Sequence, residues 1–334
     1  MKIFVTGGTG LIGAYVIRAL LASGYNDIVA SKRKTSKMDL VQELDKVKWI
    51  ECDLNDFIQM SDIISECDAV IHLAGMVSFS PWKKKEIFKA NIDVTADLIN
   101  VSLDQGIKRF IHFSSVAALG ISNKMIDETA VWTENKSKKC YSLSKYLGEK
   151  EAWRGFAEGL NLSIINPSFT IGGGFWSTGP MTIFPKIENG LKYYPSGTNG
   201  CVDVRDVADM CIRLLNRDDL SGRRFICSGH NISHLDLMGK IGAEMNQSNP
   251  SKRVEGLFGE LVWRGASTWA RLSGTESLLS KEAYEISSAQ LSYDNSQSIE
   301  LLGMNYTDLD KTIGDTVQCY NMSKEKGFGI LDAI

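Results

Sequence analysis

A tyrosine and a lysine four residues apart, Tyr141-Ser-Leu-Ser-Lys145, open a stretch with helical spacing. Positions i and i+4 of an α-helix lie above one another on one face, so the phenol and the ammonium can converge on one small volume. A cation held there favours the phenolate and draws a pKa that starts at about 10 towards neutrality. Such a pair is a proton donor and acceptor. The same spacing also occurs in ordinary surface helices. The chemistry therefore needs a hydride carrier, a third polar group and a substrate cavity from elsewhere in the chain.

The carrier is foreshadowed at the N-terminus. Lys2 to Thr6 reads as a short buried strand, followed by Gly7-Gly8-Thr9-Gly10-Leu11-Ile12-Gly13 and a helix from Ala14 to Ala22. Strand, glycine turn and helix start in that order predict a dinucleotide site. Glycine removes the Cβ atoms that would block a pyrophosphate, and the helix N-terminus offers free N–H groups and a positive dipole end. The cradle is expected from Gly7, Thr9, Gly10, Leu11, Ile12 and Gly13.

The second strand, Asp27 to Ser31, leads into Ser31-Lys32-Arg33-Lys34-Thr35-Ser36-Lys37, with no carboxylate before Asp39. An acid in this window would bind the ribose hydroxyls of NAD. An arginine fork and a hydroxyl would instead hold a 2′-phosphate. Arg33, helped by Ser36, therefore favours NADP (NADPH), with NAD still possible; the plainer reading is a solvated basic loop.

Further strands are expected at Trp49 to Leu54, Ala69 to Gly75, Lys108 to Ser115 and Asn161 to Pro167. Asp53 and Leu54 would face the adenine, and Leu73, Ala74 and Gly75 would let the cofactor backbone pass. A helix from about Lys89 to Asp104 carries Asn91 in its first turns. The fifth strand ends in hydroxyls, and ligands of open α/β sheets sit at the carboxyl ends of strands. Alternating strands and helices predict an α/β fold with a doubly wound parallel sheet.

Beyond Gly174 the regularity falls. Residues 175–200 are rich in Gly, Pro and aromatics, as in a segment that closes over a ligand. Val202 to Asp209 is expected to start a helix, Arg223 to Cys227 to form a late strand, and the tail to be mostly helical, including Gly256 to Gly274 with Trp263 and Trp269. This predicts a dinucleotide-binding domain over 1–167, rejoined by 202–228, and a smaller, mostly helical substrate lobe over 168–201 and 229–334.

Composition narrows the class. The 334 residues are 43% hydrophobic and 23% charged, with a formal charge of −3, which argues against a nucleic-acid-binding surface. No apolar run reaches the length of a membrane span, and the N-terminus turns to glycine too soon for a secretory leader. Seven cysteines without a C-x-x-C pair read as reduced thiols of a cytoplasmic protein. His72, His112, His230 and His234 have no metal-ligand spacing, so no metal is expected.

Taken together, Gly7-x-x-Gly10-x-x-Gly13, Ser115 and Tyr141-x-x-x-Lys145 resemble the short-chain dehydrogenase/reductase superfamily in its extended, NAD-dependent epimerase/dehydratase branch. Phe113-Ser-Ser-Val-Ala-Ala-Leu-Gly120, Asn166-Pro167-Ser-Phe-Thr170-Ile-Gly172 and Tyr293 to Gly303 resemble motifs of its dihydroflavonol 4-reductase-like members. The resemblance implies a Rossmann fold and hydride exchange with a nicotinamide. Tyr141 would be the general acid or base and Lys145 would lower its pKa and hold the nicotinamide ribose. Ser115, selected over Ser114 by aligning on Gly120, would bind the substrate oxygen. Asn91 would support a proton-relay water or act only structurally, and Pro167 would be a further cofactor contact. A homodimer through the helices holding Asn91 and Tyr141 is also implied.

Departures shape the expectation. Lys139-Cys140-Tyr141 replaces the Asn-Trp-Tyr-Cys-Tyr run of cinnamoyl-CoA reductase-like members, and Val116-Ala117 replaces the Asp-Glu pair of nucleotide-sugar dehydratases. The leading expectation is an NADP-dependent reductase of a ketone or aldehyde on a moderately hydrophobic small molecule. Phe79, Trp82, Phe175, Trp176, Phe184 and Tyr193-Tyr194 are candidate lining. The alternatives are a nucleotide-sugar epimerase or 3β-hydroxysteroid dehydrogenase-like enzyme, and a non-catalytic NADP-sensing protein.

Overall fold

The computed structural model describes residues 1–41, 44–132, 140–256, 259–260, 263–265 and 280–326. Its strands are β1 (Ile3–Thr6), β2 (Ile28–Lys32), β3 (Val47–Glu51), β4 (Ala69–His72), β5 (Arg109–Phe113), β6 (Leu162–Pro167), β7 (Phe169–Ile171), β8 (Tyr193–Pro195), β9 (Thr198–Asp203), β10 (Arg223–Cys227), β11 (His230–Ser233) and β12 (Lys252–Val254). The helices used below are α1 (Leu11–Ala22), α2 (Phe57–Ile64), α3 (Lys84–Phe88), α4 (Val94–Asp104), α5 (Tyr141–Ala157), α6 (Ile183–Glu188), α7 (Val204–Leu215), α8 (His234–Glu244), α9 (Lys281–Ser288), α10 (Ser296–Leu302) and α11 (Leu309–Lys326).

The main sheet is parallel, in the order β10-β6-β5-β4-β1-β2-β3. This is the doubly wound Rossmann arrangement with one added strand at the β6 edge. Successive strand residues face opposite layers, as the two-residue repeat requires. Ile3, Val5, Ile71, Ile111 and Phe225 pack with α1 and α7, whereas Phe4, Val70, Phe110 and Ile164 pack with α2, α4 and α5. Both faces are covered, which is why these strands read as continuous apolar runs.

A buried arginine ties three of these elements together. Arg109, 1% exposed at the start of β5, donates to the Leu214 carbonyl of α7 from Nε (3.2 Å) and Nη2 (2.8 Å), to Asn161 Oδ1 (2.8 Å) and to Ser163 Oγ of β6 (2.7 Å).

The second layer of structure holds a three-stranded sheet, β11-β9-β7, and a β12-β8 pair. Here a core of Met181, Phe184, Ile187, Leu237, Ile241, Ile313 and Tyr320 joins α6, α8 and α11. Phe184 is fully buried against Trp176 and Tyr320, so it is core and not substrate lining. Trp82 is 73% exposed, and Tyr193 stacks its ring under the Lys252 ammonium in β8–β12.

Several expected boundaries shift. The helix expected from Lys89 begins earlier, at Lys84, and passes through a π turn at Lys89–Asp93 before α4. Val202 and Asp203 end β9 instead of starting a helix; Asp203 caps α7 by accepting from the Arg205 N–H. His230 lies in β11 and His234 opens α8, and among the described residues no cluster could hold a metal. Most of Gly256 to Gly274, with Trp269, lies outside the described residues, whereas Trp263 is helical. No disulfide joins any of the seven cysteines, and no described helix is long and apolar enough to cross a membrane.

Candidate active site

The glycine loop between β1 and α1 has the shape a pyrophosphate requires. Gly7 has φ +71°, and a Cβ there would stand 2.6 Å from the Ala74 nitrogen. A Cβ at Gly13 would meet the Gly7 carbonyl oxygen at 2.3 Å. Gly10 caps α1 with backbone alone, and no side chain or first-turn acid occupies that end. The Leu11 and Ile12 side chains turn into the core, with Leu11 reaching the second layer beside Gly174. What the loop leaves for a ligand is its N–H groups and the positive helix end, which suits a phosphate. Thr9 sits half-buried within the same loop.

After β2, Arg33 and Ser36 close a tight turn. The Arg33 N–H donates to Ser36 Oγ at 2.9 Å and the Ser36 N–H to the Arg33 carbonyl at 2.9 Å, leaving the guanidinium exposed. Past β3, the exposed Asp53 carboxylate accepts from the Asn55 N–H and side-chain amide, which hold it below the usual carboxylate range. Leu54 packs beneath it. The expected fourth strand ends at His72, so Leu73, Ala74 and Gly75 form the turn beyond it, with the Ala74 N–H on Thr6 Oγ1.

That turn is braced from below. Thr95 Oγ1 donates to the Asn91 carbonyl, so it accepts from His72 Nε2; His72 Nδ1 then takes the Thr6 hydroxyl proton at 2.7 Å. Burial pulls His72 down to about 3 and His112 well below the ordinary histidine value, so both rings are neutral.

Asn91 lies buried in the π turn. Its Oδ1 accepts from the Met76 N–H at 2.7 Å, and its Nδ2 donates to the Met76 carbonyl (3.0 Å) and to Ser144 Oγ (2.8 Å) of α5. The side chain is thus fully engaged in joining the β4 turn to α5. Close approach is possible because position 148 is glycine: a Cβ there would stand 2.1 Å from the Asn91 carbonyl oxygen. Ser144, Gly148 and Ala152 repeat at four-residue spacing on the buried face of α5. That small-residue stripe is the sequence signal for the close approach of α5 to Asn91.

Tyr141, Lys145 and Ser115 meet beyond the carboxyl end of β5. Lys145 Nζ donates to the Phe113 carbonyl at 2.9 Å, and a Cβ at Gly75 would come within 3.9 Å of it. The Tyr141 phenol is hydrogen-bonded to the Ser115 side chain, whose Oγ also accepts from the Ala117 N–H. Ser114 is buried with an Oγ that has no partner among the described residues, so Ser115 is the hydroxyl that faces the phenol. The Phe79 ring meets Tyr141 edge-on at 5.2 Å, and Trp132 stacks on Tyr146 at 4.9 Å. Pro167 ends β6 opposite Cys227.

The electrostatics correct one expectation. The Tyr141 phenol is pushed above the ordinary tyrosine value, because burial outweighs the Ser115 hydrogen bond and the nearby Glu282 carboxylate also disfavours phenolate. Lys145 does not reverse this. Its own burial draws it down to about 8, against the pull of Glu149.

Glu282 itself was not anticipated. Its carboxylate, from α9, accepts the N–H groups of Cys140 (2.6 Å), Tyr141 (3.2 Å) and Ser142 (2.9 Å), and the Ser142 hydroxyl (2.9 Å). A separate surface cavity of about 440 Å³, lined by Pro185, Lys186 and residues 189–193, shares no residue with this site.

Comparisons with known proteins agree with the geometry. The pattern of the NAD dependent epimerase/dehydratase family matches residues 3–227. A Synechocystis sp. protein that provisionally carries the name dihydroflavonol 4-reductase is 28% identical over 328 residues, covering 95% of this chain and 94% of that one. Anthocyanidin reductase of Arabidopsis thaliana is 29% identical over 262 residues, covering 70% and 77% of the two chains. The crystal structure of gox2253 superposes with a TM-score of 0.83 at 25% identity, covering 96% of this chain and 98% of that one. The structure of DesIV, a dTDP-glucose 4,6-dehydratase from Streptomyces venezuelae with NAD bound, shares the fold at a TM-score of 0.80 and 17% identity, covering 97% and 98%. With a match across two thirds of its length, the chain belongs to the NAD dependent epimerase/dehydratase family and is an NAD(P)-dependent enzyme of the oxidoreductase type.

Proposed function

We propose that the protein reduces a ketone or aldehyde on a moderately hydrophobic small molecule to the alcohol, with NADPH as the preferred cofactor. The observation that carries this reading is the meeting of Tyr141, Ser115 and Lys145 beyond β5, beside the β4 turn and the glycine loop. The bound nicotinamide supplies the hydride. Tyr141 gives its proton to the carbonyl oxygen as negative charge develops there. Ser115 donates to the same oxygen and holds it at the phenol. Lys145, anchored on the Phe113 carbonyl, presents its remaining N–H groups towards the nicotinamide ribose and the phenol. Asn91 acts by locking the β4 turn to the catalytic helix. Phe79 at the phenol supports an apolar substrate.

In this reading, residues 1–167 with 202–228 carry the dinucleotide, and 168–201 with 229–334 carry the substrate. A homodimer through the helices bearing Asn91 and Tyr141 belongs to the same proposal. The deciding experiment follows NADPH absorbance across a panel of aromatic and aliphatic ketones and aldehydes. Consumption with at least one is expected, whereas none across the panel would favour a dinucleotide-sensing role.

The cofactor preference has its own test. Arg33 sits on the exposed turn after β2, and residues 33–38 include no carboxylate. Arg33→Ala is expected to weaken NADPH binding about tenfold, as the loss of one charge-assisted pair at roughly 1.5 kcal/mol implies. NADH affinity should be unchanged. Equal losses for both cofactors, read by fluorescence titration, would remove Arg33 from the 2′-phosphate site.

A further inference from the structure

The N-terminus of α5 is occupied by a carboxylate from far along the chain. Glu282 is 5% exposed, and four donors from three consecutive residues, Cys140, Tyr141 and Ser142, converge on its two oxygens. Its helix is also pinned to the second layer, since the Gly197 and Thr198 N–H groups donate to the Ser287 and Ala289 carbonyls at 3.0 Å each. A carboxylate bridging from that layer therefore grips the backbone of the residue whose phenol faces Ser115.

Two consequences follow from elementary electrostatics. The N-terminal end of a helix is positive and would, left open, favour a phenolate on its first residue. A buried carboxylate at that end cancels the field and favours the neutral phenol. The bonds to three successive N–H groups also fix the direction in which α5 starts, and with it the phenol's place opposite Ser115.

We propose that Glu282 is a positioning residue for Tyr141: by capping α5 from the second layer it holds the phenol against Ser115 and keeps it protonated for reduction. The inference rests on Tyr141 as the proton donor of the proposed function. Among the described residues, the other titratable groups around the phenol are Lys145 and Glu149 on its own helix and Cys140 just before it. Lys84 of α3 acts on Cys140, and Lys145 in turn disfavours the charged forms of His72 and His112 of β4 and β5. On α9, Lys281 and Glu285 pair with each other at 3.6 Å. Among these, only Glu282 both touches the Tyr141 backbone and sets its charge against the phenolate.

The test titrates Tyr141 directly by ultraviolet phenolate absorbance, taking the difference between each protein and its Tyr141→Phe counterpart. Glu282→Gln is expected to lower the phenol's midpoint by about one pH unit, the low end of what removing one nearby charge does. Glu282→Asp, whose carboxylate is one methylene shorter, moves it in the same direction by less and serves where the amide variant does not fold. In the reductase assay the alkaline limb of the pH profile shifts towards acid by the same amount. A purely structural cap would lower the melting temperature and leave the midpoint in place, and that result would overturn the proposal. The titration needs neither cofactor nor carbonyl. A moving midpoint in a chain that reduces nothing would therefore sink the proposed activity and leave the positioning role standing.

Discussion

Tyr141→Phe is expected to lower kcat for carbonyl reduction by about a thousandfold, within the range that a general acid contributes. NADPH affinity should stay within about twofold, because the phenol hydroxyl is the only group removed. The phenol faces Ser115, and burial raises its pKa above the ordinary tyrosine value, so it is neutral at physiological pH. The sign of the pH dependence follows. Reduction needs the protonated phenol, and a raised pKa keeps that form present to higher pH, so wild-type reduction should fall only on the alkaline side. Single-turnover rates and cofactor titration on the same preparation separate the two effects. A variant that keeps a wild-type rate would strip Tyr141 of the proton-transfer role.

Arg109→Met should cost about 3 kcal/mol of stability, because it takes the donor from Ser163 Oγ and Asn161 Oδ1, while the Leu214 carbonyl keeps only the backbone donors that follow it. The guanidinium serves the Leu214 carbonyl, Asn161 and Ser163 at once, joining α7, the approach to β6 and β6 itself. Burial draws it down to about 10, so it resides there at some expense that a neutral side chain would recover. The unmet acceptors outweigh that recovery, since Ser163 and Asn161 keep only their bonds to the Leu220 carbonyl and Asp218. Urea unfolding should show a lower midpoint at an unchanged slope. Arg109→Lys, which reaches fewer partners, should fall between the two. An unchanged midpoint in Arg109→Met would show that the neutral packing suffices.

The fold was legible because its signals are local. Apolar runs such as Ile3–Thr6 and Ala69–His72, separated by helix-length segments, have few solutions other than a parallel sheet covered on both faces. The glycine loop was legible for the same reason: Gly7 and Gly13 answer to contacts within one turn and the strand next to it. Less legible were elements whose state depends on partners far along the chain. Val202 and Asp203 carry helix-start residues, yet β7 recruits them into β9 before α7 begins. Phe184 looked like substrate lining until Trp176 and Tyr320 closed around it.

The catalytic pair divides along the same line. The sequence by itself determined that Tyr141 and Lys145 share a helix face and that a dinucleotide loop precedes them, since i, i+4 geometry and glycine turns are properties of short segments. Only the tertiary structure decided that Asn91 spends its amide on Met76 and Ser144. It also reversed the expected direction of the phenol's pKa. Proton affinity is set by burial and by charges in space, and the carboxylate at this helix end arrives from 141 residues away.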